Sequence, residues 1–122
     1  MSAFGFPRVS RLLLKKEFER VLRGGRRTVA EGLELRFSTP PLAGRQPRLG
    51  IIVSKKAGGA VARARAKRLI REVFRLNRHK LKEASDLIVR PRTFEKLDGY
   101  ANAEKAISLL WRKSGLLDGS GG

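Results

Sequence analysis

The sequence predicts one α+β domain in two layers, with helices packed on a mixed four-stranded sheet, and three observations lead there. Apolar residues recur at helical spacing near the N-terminus, through the middle and before the C-terminus. Short runs with strand character lie between these stretches. The longest helical stretch also separates two apolar strands, which makes a βαβ unit and requires a parallel pair within the sheet. A chain of 122 residues supports one core and is too short for two.

The elements follow in order. Residues 1–9 read as an irregular, flexible segment broken by Gly5 and Pro7, and the domain spans 10–114. Ser10 is placed to cap a first helix, whose Leu14, Phe18, Val21 and Leu22 share one face until Gly24-Gly25 stops it. From Thr28 the period changes: Leu33, Leu35 and Phe37 alternate with Glu34, Arg36 and Ser38 as in a half-buried strand. After a Pro/Gly loop, RLGIIVS (Arg48 to Ser54) is more uniformly apolar and is expected to be a central strand. KKAGGA turns into a helix over Val61–Leu81. DLIVR (Asp86 to Arg90) is a short strand closed by Pro91, and a last helix covers Ala101–Lys113. GLLDGSGG reads as a flexible tail over 115–122.

Charge bounds the function. Lys and Arg number 28 against 11 Asp and Glu, a formal +17, which points to a polyanionic partner. Cysteine is absent, which excludes disulfides and thiolate metal sites and fits a reducing compartment; the cytoplasm is expected. His79 alone builds no histidine metal centre. No apolar run has the length of a membrane span, and MSAFGFPRVS lacks the apolar core of a signal peptide. Asp86, Asp98 and Asp118 read as turn or cap residues, and the sequence shows neither a Ser/His/Asp set nor a phosphate-binding glycine loop.

The cations concentrate in RARAKRLIREVFR, Arg63 to Arg75. On a helical wheel with Arg63 at zero, Lys67, Arg78, Arg71, Arg75 and Arg68 fall between about 40° and 140°. Ala62, Ala66, Leu69, Ile70, Val73 and Phe74 cover the apolar arc, and Arg63 and Arg65 flank the basic one. Solvated helix faces usually mix signs at i,i+4; here Lys67, Arg71 and Arg75 are like-charged neighbours, and Glu72 lies off the centre of the stripe, placed so that it cannot neutralise it. Arginine's planar fork suits phosphate oxygens. A nucleic acid fits better than a membrane surface, since the apolar arc is the size needed to cover a sheet.

RLGIIVSKKAGGAVARARAKRLIREVFR resembles the signature of the bacterial ribonuclease P protein subunit, where a strand ends in a Ser/Ala-Lys-Lys turn and a basic helix opens with Arg-Asn-Arg. LLKKEFERVL before it, and DLIVR and LLWRKS after it, extend the resemblance over roughly residues 8–114. The chain departs at Ala64, where the family carries asparagine.

The resemblance implies a left-handed βαβ crossover and a role in removing the 5′ leader of precursor tRNA. It implies that the RNA subunit does the chemistry through its Mg2+, that the protein binds no cofactor, and that the protein alone is inactive. Arg63, Arg65, Lys67, Arg68, Arg71 and Arg75 are then the residues that dock on the RNA subunit. Phe18, Arg36, Lys55 and Lys56 line a leader cleft between the first helix and the sheet. Phe18 equally suits a place in the core. The partners implied are the RNA subunit and precursor tRNA, with neither a membrane nor a further protein required. The rival reading is a ribosomal or other structured-RNA-binding protein with no part in cleavage; a protein-only nuclease lacks its residues, and a DNA-binding chromatin protein lacks a recognition-helix signal.

Overall fold

The computed structural model describes residues 15–38, 46–82 and 85–117. Its elements are α1 (Lys15–Gly24), β1 (Arg26–Ala30), β2 (Leu33–Ser38), β3 (Arg48–Ile51), α2 (Ala60–Asn77), β4 (Asp86–Pro91) and α3 (Tyr100–Lys113). Single 3-10 turns occupy Lys55–Ala57, Arg78–Lys80 and Glu95–Leu97. The result is an α+β structure on a mixed four-stranded sheet, as the sequence predicts. The Ser10 cap, Leu14 and Asp118 lie outside the described residues.

The strand order is β1-β2-β4-β3, with β1–β2 and β2–β4 antiparallel and β3–β4 parallel. A two-residue hairpin joins β1 to β2: Glu31 and Gly32 both take positive φ, the geometry whose twist suits a tight turn. The expectation that RLGIIVS is central is corrected: β3 is an edge strand, and β2 and β4 are the inner ones. Its apolar character comes from cover on both faces, not from neighbours on both sides. Leu49 and Ile51 join the main core, while the opposite face of Gly50 lies under the Phe18 ring.

The main core lies between the sheet and α2 with α3. Leu33, Leu35, Phe37, Leu49, Leu87 and Val89 from the sheet meet Ala66, Ile70, Val73 and Phe74 of α2 and Ala103, Ala106, Ile107, Leu110 and Trp111 of α3. Ala62, placed on the apolar arc by the wheel, is exposed instead, because it sits in the first turn of α2, before the helix reaches the sheet. On the other sheet face, α1 packs Val21 against Ile88, with Phe18 and Ile52 beside them.

The tail expected from residue 115 is packed through Leu117. Gly115 has φ 72° and its N–H bonds the Arg112 carbonyl, while the Leu116 N–H bonds the Trp111 carbonyl, together closing α3 as a Schellman motif. Leu116 is buried, and Leu117 bridges to Leu81. Read as composition, the glycines around Leu116-Leu117 masked this cap.

Candidate nucleic-acid interface

Alternation along the strands sends Leu33, Leu35 and Phe37 to the core and Glu34, Arg36 and Ser38 to the opposite face. There α1 covers one half and leaves a groove of about 320 Å³, lined by Leu22, Glu34, Arg36, Ile52, Ile88 and Arg90. Arg36 faces this groove, as its alternation predicts. Its NH1 donates to the Leu22 carbonyl at 3.0 Å and so ties the strand to the end of α1.

Glu34 is the organising group, and nothing in the sequence pattern marks it. It is only 3% exposed, although it lies on the face away from the main core. Its Oε2 accepts from Arg27 Nε at 2.9 Å and Arg36 Nε at 3.1 Å, and its Oε1 from Arg92 NH1 at 3.2 Å. Burial pushes its carboxyl up, but hydrogen bonds from Arg27 and Arg36, and their charges, outweigh this and hold it below the usual carboxylate value.

Phe18 is half-buried. Its ring rests so closely on Gly50 that a Cβ there would lie 2.4 Å from Phe18 Cζ. It packs with Val21, Ile52 and Ile88, of which Ile52 and Ile88 also line the groove. Lys55 and Lys56 are exposed in the turn that follows β3, three and four residues past Ile52. The fold thus places Phe18 and Arg36 on one face, with the two lysines in the turn beyond Ile52, which itself follows β3.

The expectation that Asp86 is a turn or cap residue is corrected. Asp86 opens β4 fully buried and accepts two bonds from Arg48, at 2.9 and 3.1 Å, and one from Arg20 at 3.3 Å. Arg48 NH1 also reaches Glu17 Oε2 at 2.6 Å. The hydrogen bonding to Asp86 leads the effects that raise the Arg48 pKa, against the opposing pull of burial. This network pins α1 to the sheet and so fixes the groove's far wall. Asp98 does sit just before α3, where it accepts from Asn102.

The second cationic surface is α2. Arg68 and Arg71 are exposed with no partner among the described residues, and Lys67 is half-buried. Arg75 of the stripe and the two flanking arginines are engaged. Arg63 donates to the Gly58 carbonyl, Arg65 to the Asp98 carbonyl at 2.7 Å, and Arg75 pairs with Glu72. The Glu72 expectation is therefore corrected: 60° away on the wheel and one turn back, it neutralises Arg75 at the stripe's edge. The apolar side of α2 lies in the main core, so its cations and the groove occupy different sides of the sheet. Among the described residues no group of three or more His, Cys, Asp or Glu is placed to hold a metal ion, and no helix is long and apolar enough to cross a membrane.

Comparison with known proteins gives one consistent answer. A family model described as Ribonuclease P matches residues 6–115. The ribonuclease P protein component of Dictyoglomus turgidum is 39% identical over 121 residues, covering 96% of this chain and 98% of the relative. That of Thermotoga maritima is 34% identical over 115 residues, covering 90% and 97%. The solved RNase P protein of Staphylococcus aureus superposes with a TM-score of 0.76 at 25% identity, over 88% of this chain and 97% of that one. The solved Thermotoga maritima protein gives 0.70 at 32% identity, over 84% and 96%.

Proposed function

Since this chain belongs to the ribonuclease P protein family, we propose that it binds the catalytic RNA subunit and the single-stranded 5′ leader of precursor tRNA at the same time. The observation that carries this reading is the pair of cationic surfaces on different sides of one sheet: the α2 stripe around Arg68 and Arg71, and the groove beside Arg36. The stripe, with Arg63, Arg65, Lys67 and Arg75 at its margins, suits a structured RNA met through its phosphates. The groove, with Phe18 beside it and Lys55 and Lys56 in the turn beyond Ile52, suits a single strand whose bases lie on apolar side chains.

In this reading the protein does no bond-breaking. The RNA subunit carries the Mg2+ and the hydrolysis, and the protein lowers the repulsion between two polyanions while positioning the leader. The complex works in the cytoplasm and needs no further protein. Reconstitution tests the division of labour. Purified protein with Mg2+ should leave precursor tRNA intact. Added to its cognate RNA subunit, it should raise cleavage most at low Mg2+, where repulsion is least screened. Metal-dependent cleavage by the protein without RNA, or no stimulation of the RNA subunit, overturns the reading.

A further inference from the structure

Glu34 and Arg90 are register partners on β2 and β4, yet no side-chain bond joins them. Both Glu34 oxygens are taken by Arg27, Arg36 and Arg92. Arg90 lines the groove, is exposed, and its side chain has no hydrogen bond or ion pair among the described residues. A buried carboxylate in the middle of an anion-binding face removes charge from it, so its contribution has to be geometric. The three guanidiniums repel one another and would otherwise be mobile. Anchored on Glu34, each spends one or two of its five N–H groups and keeps the others for a ligand. Their side chains remain 49%, 35% and 53% exposed for Arg27, Arg36 and Arg92. Four guanidiniums around one carboxylate leave a net +3, with Arg90 as the uncompensated charge inside the groove.

The remaining wall is aliphatic: Leu22, Ile52 and Ile88. We propose that the groove is a one-sided track for a single-stranded polynucleotide. Its phosphates seat on Arg90 and the flanking arginines, its bases lie on Leu22 and Ile52, and Glu34 is the positioning residue that fixes the arginine edge. This rests on the leader reading and specifies it. Aliphatic contacts make no hydrogen bonds to base edges, so the track accepts any base, while preorganised donors grip the backbone with little ordering cost.

The test uses the reconstituted holoenzyme and compares its affinity for precursor tRNA with that for mature tRNA, across a salt series. Arg90→Ala should lower affinity for the precursor about tenfold, as for one lost charge-assisted hydrogen bond. It should also reduce the log–log salt slope by about 0.7, the value for one single-strand phosphate. Mature tRNA should bind as before, and Arg90→Lys should keep the slope. Glu34→Gln is the sharper variant, because it raises the net charge. If charge alone governed binding, the precursor would bind more tightly. Positioning requires the opposite, a loss of about threefold or more confined to the precursor as ordering cost returns. Melting curves identify a variant that fails to fold, and the Arg90 pair then carries the test. A wild-type holoenzyme blind to the leader overturns the leader reading and the track with it. A discriminating wild type in which Arg90→Ala weakens both RNAs equally, or neither, overturns the track alone. Tighter precursor binding by Glu34→Gln overturns the role of Glu34.

Discussion

Arg48 and Asp86, the first residues of two parallel strands, are register partners and are also joined side chain to side chain by two hydrogen bonds of 2.9 and 3.1 Å. Asp86 is fully buried and Arg48 14% exposed at its side chain, so the pair is shielded from solvent. Through Glu17 and Arg20 it reaches α1, which gives the edge strand, the inner strand and the helix a single polar anchor.

Removing Asp86 takes two bonds from the largely buried Arg48 guanidinium and leaves it Glu17 as its remaining counter-charge. Asp86→Ala should therefore destabilise the fold by about 3–5 kcal/mol, measured by urea unfolding. Arg20→Ala, whose guanidinium is 58% exposed, should cost much less.

Glu34 predicts an acid limb in the stability profile. Its carboxyl lies below the usual value when folded, so the unfolded chain binds the proton more readily. The stability it supplies is present above the unfolded value of about 4.3 and is lost as pH falls through the folded one. Unfolding free energy should decline below about pH 4.5 in wild type, and Glu34→Gln should flatten that limb. Equal slopes in the two proteins would remove Glu34 as the cause.

Gly50→Ala should drive its new methyl into the Phe18 ring, whose nearest atoms lie at 2.4 and 2.6 Å. Overpacking of this kind costs about 1–3 kcal/mol. In the double variant with Phe18→Ala the clash disappears, so the two losses should sum to more than the double variant shows. Phe18→Ala alone also reports on stacking: a base on the ring makes leader-dependent affinity fall several-fold, beyond any loss shared with mature tRNA.

Two arginines of the α2 stripe should behave differently. Arg71 is exposed and unpartnered among the described residues, whereas Arg75 is paired with Glu72 and has its Nε buried. Arg71→Ala should reduce the salt slope of binding to the RNA subunit by about 0.9, the value for one duplex phosphate. Arg75→Ala should reduce it by less and lower the melting temperature more. The reverse pattern would relocate the docking surface toward Arg75.

The elements with one clear period were legible in the sequence. The alternation of Leu33, Leu35 and Phe37 gives both β2 and the outward aim of Arg36, and the wheel over Arg63–Arg75 gives the buried arc from Ala66 to Phe74. What escaped depended on which strands are neighbours. Glu34 gathers Arg27 across the hairpin and Arg92 from 58 residues away, an encounter that exists only in the order β1-β2-β4. Asp86, read beside an apolar run, has the pattern of a turn residue, and only the parallel partner β3 brings Arg48 onto it. An apolar strand reports how many of its faces are covered and not how many neighbours it has, which is why β3 read as central.

The sheet that separates the α2 cations from the groove has a further consequence, for electrostatic independence. Packed layers lie about 10 Å apart, so ligands gripped from the far side of α2 and from the groove are kept apart by roughly two such layers. At physiological ionic strength solvent screening acts over about 8 Å. On the reading proposed above, the sheet therefore works as a partition between two phosphate chains. In that reading one docks at little electrostatic cost to the other, and substitutions that tune one grip move the other only slightly.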